Sequence, residues 1–183
     1  GDVLIRAYRP GDGPALRLAT AASYEHLRPW MEWARPDQSD EEAELLCRRF
    51  AASYLRVEDF VLGIWLGDEL VGGTGFHPRG GSLAVGTADI GMWIGASHAG
   101  RGMGTRVLRA LLDWGFSDAW PWRRLTWHCD TRNRASARVA EKGGLRREAT
   151  LRSVDLDVEG RRRDVYLYAI LREEWASGAA AEG

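Results

Sequence analysis

The chain has 183 residues, of which 45% are hydrophobic and nine are tryptophan, and its formal net charge is −1. That is enough apolar chain for one sizeable core and too little for a comfortable second domain. The balanced charge lacks the basic excess that nucleic acid or an anionic membrane would need, and no stretch reaches the roughly 18 apolar residues of a membrane span, so none of these partners is expected.

In chain order, Gly1 to Pro10 is interrupted by Asp2, Arg6 and Arg9 and is no signal peptide, while Val3 to Tyr8 alternates as a short opening strand. Gly11 to Pro14 turns into a helix through Leu16, Leu18 and Ala22 that is spent by Pro29. His26 to Trp33 is an unusually aromatic loop closed by Pro36. Ser39-Asp40-Glu41-Glu42 is a helix start with acids in the first turn, and the helix continues to about Arg56.

From Phe60 the period becomes two: Phe60 to Leu66, the turn Gly67-Asp68, and Glu69 to Phe76 form an antiparallel hairpin. His77 to Ser82 is a glycine-rich loop, and Leu83 to Ile94 is read as a long third strand. Beyond Gly95 to Gly104, the apolar stripe Val107, Leu108, Leu111, Leu112 marks a helix. Arg124 to Asp130 is a strand and Asn133 to Lys142 a helix ended by Gly143-Gly144. Val154 to Asp157 and Val165 to Leu171 close the fold as a hairpin around Glu159-Gly160. The expected fold is α+β, with about four helices and a mixed, mostly antiparallel sheet of about seven strands. It forms one domain over residues 1–176, and residues 177–183 are a small polar tail, expected to fray.

The two cysteines, Cys47 and Cys129, share no C-x-x-C spacing, so neither a disulfide framework nor a cysteine metal site is expected, and a reducing, cytoplasmic setting fits. Among the basic residues only Lys142 is lysine, and no arginine replaces the lysine of a Walker A loop. His128-Cys129-Asp130 lies on a strand where adjacent residues face opposite ways, which separates His128 from Cys129 as a nucleophile pair.

The chemistry concentrates in Ile90 to Thr105, which runs strand, glycine loop, helix. Glycines 100, 102 and 104 would let successive N–H groups face one concavity at a positive helix end, a natural seat for pyrophosphate. A dinucleotide fingerprint G-x-G-x-x-G fails in either register, because its last glycine would fall on Thr105 or Val107.

Gly100 to Thr105 resembles the R/Q-x-x-G-x-G/A motif of GNAT acetyltransferases, with Gly102 and Gly104 at the two small positions and Ala99 where Arg or Gln would stand. Asn133 to Glu148 is similar to the N-x-x-S-x-x-V-x-E-K-x-G-F-x-x-E run of the family's ribosomal-protein (RimJ/RimL-type) branch, and His26 to Trp33 to its H-L-x-P-W-M-x-W element.

That resemblance implies a three-layer α/β/α fold that passes an acetyl group from acetyl-CoA, or another acyl-CoA such as succinyl-CoA, directly to an amine. By the same resemblance Met92, Trp93 and Ile94 pair with the pantetheine arm, and Ala99, Gly100, Arg101, Gly102, Met103, Gly104 and Thr105 hold the phosphates. Asn133 would contact a pantetheine amide, cap its helix, or both. The family's tyrosine acid is absent, Ala140 standing in its place, and Ser136 is the expected acid. Asp155 is the expected base, with Asp89 on the long strand as second candidate. Trp30, Met31 and Trp33 would wall the acceptor pocket. The expected acceptor is a protein or peptide N-terminus; the alternatives are a small amine such as an antibiotic or polyamine, or a non-catalytic CoA-binding module. A homodimer is compatible with the sequence.

Overall fold

The computed structural model describes residues 2–78 and 83–181, so the glycine-rich loop read over His77 to Ser82 lies largely outside the described residues. Among the described residues seven strands carry the order β1-β2-β3-β4-β5-β7-β6. They are β1 Val3–Ala7, β2 Phe60–Leu66, β3 Glu69–His77, β4 Thr87–Ile94, β5 Arg124–Asp130, β6 Arg146–Leu156 and β7 Arg162–Leu171. The helices are α1 Gly13–Ala22, α2 Tyr24–Leu27, α3 Asp40–Leu55, α4 Met103–Gly115, α5 Arg134–Lys142 and α6 Arg172–Ala181. The β4–β5 pair is parallel, while β1–β2, β2–β3, β5–β7 and β6–β7 are antiparallel. The fold is thus α+β with a mixed, mostly antiparallel sheet. None of the described helices is long and apolar enough to cross a membrane.

By contact density the chain divides into two compact units. One comprises Gly1–His77, Gly91–Arg101 and Asp157–Glu159; the other comprises Pro78–Ile90, Gly102–Leu156 and Gly160–Gly183. β4 gives its first half to the second unit and its last four residues to the first.

In the first unit the β2–β3 hairpin closes through Gly67 at a φ of 58°, a turn conformation that glycine adopts without a Cβ clash. α3 starts in a capping box: Ser39 Oγ accepts from Glu42 N–H at 3.1 Å, and the Glu42 carboxylate accepts from Ser39 N–H at 2.8 Å. The core gathers Tyr8, Leu16, Cys47, Trp65 and Leu70, with Phe50 and Trp93 packed against it. In the second unit the stripe Val107, Leu108, Leu111 and Leu112 of α4 is fully buried, each side chain contributing about 1.5–3 kcal/mol.

The larger differences from the sequence reading are these. β4 starts at Thr87, because Leu83–Val85 forms a 3-10 turn and Gly86 at a φ of 68° breaks the run. β6 starts at Arg146, eight residues earlier than expected, and shifts register around Ser153, whose φ is 52°. The single turn α2 carries its last two residues, His26 and Leu27, into the segment read as loop. α6 reaches Ala181, into the segment read as tail, while Glu182 and Gly183 lie outside the described residues.

Candidate active site

The last residues of β4 are held from the first unit's own side. Thr74 Oγ1 donates to Gly91 O at 2.8 Å, Gly95 N–H donates to Val71 O at 2.8 Å, and Ala96 N–H donates to Ser23 Oγ at 3.1 Å. Gly73 on β3 lies directly beneath the Trp93 indole, where any Cβ would collide with the ring. The freed face of Trp93 meets Trp33 edge-on, with centroids 5.9 Å apart. The structure thus joins two residues that the sequence assigned to separate tasks. Trp33 stays about half exposed, and Trp30 and Met31 are half-buried. Gly73→Val should therefore displace Trp93, altering the near-UV circular dichroism of the folded chain, while Gly67→Ala should leave that signal at the parent value.

Gly100 and Gly102 take φ values of 74° and 80°, and open space surrounds the point where either would carry a Cβ. Gly104 does not share that conformation, contrary to the expectation for all three glycines, because it is the second residue of α4. Gly102 is the N-cap of α4 and has no side chain to offer. The first intrahelical bond runs from Arg106 N–H to Gly102 O at 3.1 Å, so the N–H groups of Met103, Gly104 and Thr105 are available to an anion. A phosphate fits such a bare, positive helix end.

In the second unit Asn133 caps α5, accepting from Ser136 N–H at 3.0 Å through Oδ1, which leaves its NH2 group as a donor. Ser136 Oγ accepts from Trp127 Nε1–H at 3.0 Å, so its own proton can be given elsewhere. Cys129 lies within hydrogen-bonding reach of Ser136, and burial pushes its thiol up to about 11. Burial likewise pushes the Cys47 thiol up to about 12. Raised values keep both groups as thiols at pH 8, so native protein should react slowly with a disulfide reagent and release both thiols only on unfolding.

Asp155 is about half exposed on β6 and bonds Arg163 Nη2 at 2.6 Å. That guanidinium, with the Leu156 N–H, holds its carboxyl below the usual range, which makes it a weaker proton acceptor than an unpaired carboxylate. Asp89 is buried, faces Thr126 across the β4–β5 ladder, and accepts from Thr126 Oγ1 at 3.1 Å and from His128 Nδ1 at 2.8 Å. His128 keeps 39% of its side chain exposed. This partnership was missed in the sequence because its members lie 39 positions apart. A strand register placing Asp89 opposite Thr126 would have revealed it, since His128 is the next residue on that face. Among the described residues no three His, Cys, Asp or Glu side chains gather as a metal site would need.

The acetyltransferase (GNAT) domain model matches residues 2–146. The chain belongs to the GNAT family. The uncharacterized N-acetyltransferase p20 of Bacillus licheniformis is 28% identical over 109 residues. That match spans 60% of this chain and 59% of p20, less than two thirds of the relative's length. YdaF of Bacillus subtilis (strain 168), provisionally named a ribosomal N-acetyltransferase, is 25% identical over 174 residues, 94% of this chain and 93% of that protein. RimL, a ribosomal L7/L12 alpha-N-protein acetyltransferase solved in complex with coenzyme A, has a TM-score of 0.83 at 23% identity, covering 92% of this chain and 93% of its own. Spermidine N-acetyltransferase from Vibrio cholerae, solved with CoA and spermine, has a TM-score of 0.77 at 18% identity, covering 95% and 98%. At these identities the two solved structures speak for the GNAT fold alone.

Proposed function

We propose that this GNAT chain transfers the acetyl group of acetyl-CoA to a primary amine, the N-terminus of a protein or peptide of ribosomal type. The observation that carries the acyl-CoA part is the start of α4, where a glycine cap at positive φ leaves three N–H donors and open space for a diphosphate. In this reading Gly100, Arg101, Gly102, Met103, Gly104 and Thr105 bind the phosphates, with Ala99 entering the loop. Met92, Trp93 and Ile94 meet the pantetheine arm, and Asn133 gives its NH2 to a pantetheine carbonyl. The Ser136 hydroxyl, oriented by Trp127, faces the departing sulfur. Trp30, Met31 and Trp33 border the acceptor. The similarity to YdaF along nearly all of both chains, added to the Asn133 to Glu148 and His26 to Trp33 motifs, favours a protein N-terminus over a small amine.

A ligand that binds only the folded chain raises its stability by about 2.7 kcal/mol at 100 times its Kd, or roughly 5–11 °C in melting temperature for a chain of this size. Acetyl-CoA should produce such a shift and NAD none. A melting temperature unmoved by saturating acetyl-CoA but raised by NAD would contradict the proposal.

A further inference from the structure

β5 carries one polar device on each of its faces. Trp127 reaches Ser136 on one side, and its neighbour His128 points to the other, because successive strand residues alternate. On that second face, among the described residues, the imidazole is held at Nδ1, which lies 2.8 Å from Asp89 Oδ1, and the carboxylate is itself buried and bonded by Thr126. The bond to Asp89 engages Nδ1 and directs the other ring nitrogen, Nε2, away from that carboxylate. A buried acid that orients a half-exposed imidazole in this way is the arrangement of a proton acceptor.

Acyl transfer has two different atoms to serve, the attacking nitrogen and the leaving sulfur, and they are separate substituents of one acyl carbon. A base and an acid must therefore approach from different directions. Asp155, tied to Arg163, is poorly suited to the base role.

We propose, resting on the amine-acetyltransferase reading, that His128 is the general base of this chain and that Asp89 is its positioning residue. Nε2 takes one proton from the acceptor ammonium. The freed nitrogen pair forms the N–C bond to the acetyl carbon, and the carbonyl π pair moves onto oxygen. Collapse re-forms the carbonyl and breaks the C–S bond, whose electron pair leaves on sulfur. The second nitrogen proton is lost to the sulfur through the Ser136 hydroxyl, giving the amide and free thiol, and the imidazolium returns its proton to water.

The test measures thiol release from acetyl-CoA by the full chain, with a panel of Ser- and Ala-initiated peptides and spermidine as acceptors. His128→Gln should lower kcat by about 10²–10⁴ while KM for acetyl-CoA and the melting temperature stay near parent values, and added imidazole should restore part of the rate. Asp89→Asn should lower kcat in the same direction; because Asp89 is buried and that variant can fail to fold, His128→Gln on the exposed partner decides the matter. Parent-like kcat in His128→Gln, with a large loss in Asp155→Asn, overturns the dyad and leaves the acetyltransferase reading standing. A parent chain that binds acetyl-CoA yet releases thiol with no amine overturns both.

Discussion

Gly102→Val is expected to raise the Kd for acetyl-CoA at least about 100-fold, equivalent to roughly 2.7 kcal/mol, while the chain still folds. Gly102 caps α4 at a φ of 80°, a region that costs an ordinary L-residue about 1–2 kcal/mol and a β-branched one more. Among the described residues, nothing beyond the adjoining backbone lies within 4 Å of its Cβ position, so the added side chain meets no packed neighbour. It projects instead into the space where a phosphate would meet the N–H groups of Met103, Gly104 and Thr105. The loss therefore falls on ligand binding rather than on the core. Isothermal titration with acetyl-CoA, paired with a melting curve of the free variant, separates the two. Parent-like affinity in Gly102→Val would reduce the loop to a connector between strand and helix.

Arg172→Ala should produce the largest loss of stability of any single surface-reachable side chain discussed above, about 3 kcal/mol, or roughly 6–12 °C in melting temperature. Its guanidinium donates to four carbonyl oxygens of one loop: Phe116 at 2.7 Å, Trp120 at 2.8 Å, Trp122 at 2.8 Å and Ser117 at 3.4 Å. It also sits 5.9 Å from the Phe116 ring. The planar fork of five N–H donors makes this possible, and an ammonium cannot reproduce it, so Arg172→Lys should recover less than half of the loss. Thermal unfolding of the three proteins checks the order parent, Lys, Ala; a lysine variant as stable as the parent would show that charge alone anchors the loop.

The legible parts of the fold were those where local pattern and tertiary demand agree. The β2–β3 hairpin follows from alternation about Gly67-Asp68, and α4 from its four-residue apolar stripe, which is buried as expected. α6 was not legible, because Arg172–Ala181 has no apolar stripe. It is anchored instead by the Arg172 fork and by Trp175, whose Nε1–H bonds Asp113 at 3.1 Å. Both contacts span fifty or more positions.

For the candidate site, the glycine loop and the Asn133 cap were visible as residue types in sequence order. The seat of Trp93 on Gly73 and its edge contact with Trp33 were not, since they depend on which strand lies beside which. His128 shows the same limit. Strand alternation separates it from Cys129, but only the β4–β5 register supplies Asp89 as its partner.

The most direct measurement of function is the initial rate of thiol release from acetyl-CoA with Ser- and Ala-initiated ribosomal-type peptides, spermidine and an aminoglycoside, followed by mass analysis of which amine is acetylated. Because both cysteines are held as buried thiols, native protein should contribute little background to the thiol signal. Acceptance of the peptide α-amine with a kcat/KM at least about tenfold above that of the small amines, a preference worth roughly 1.4 kcal/mol, is the expected result. Turnover confined to spermidine or the aminoglycoside would contradict the N-terminal assignment, and no turnover with any amine would contradict acetyl transfer itself.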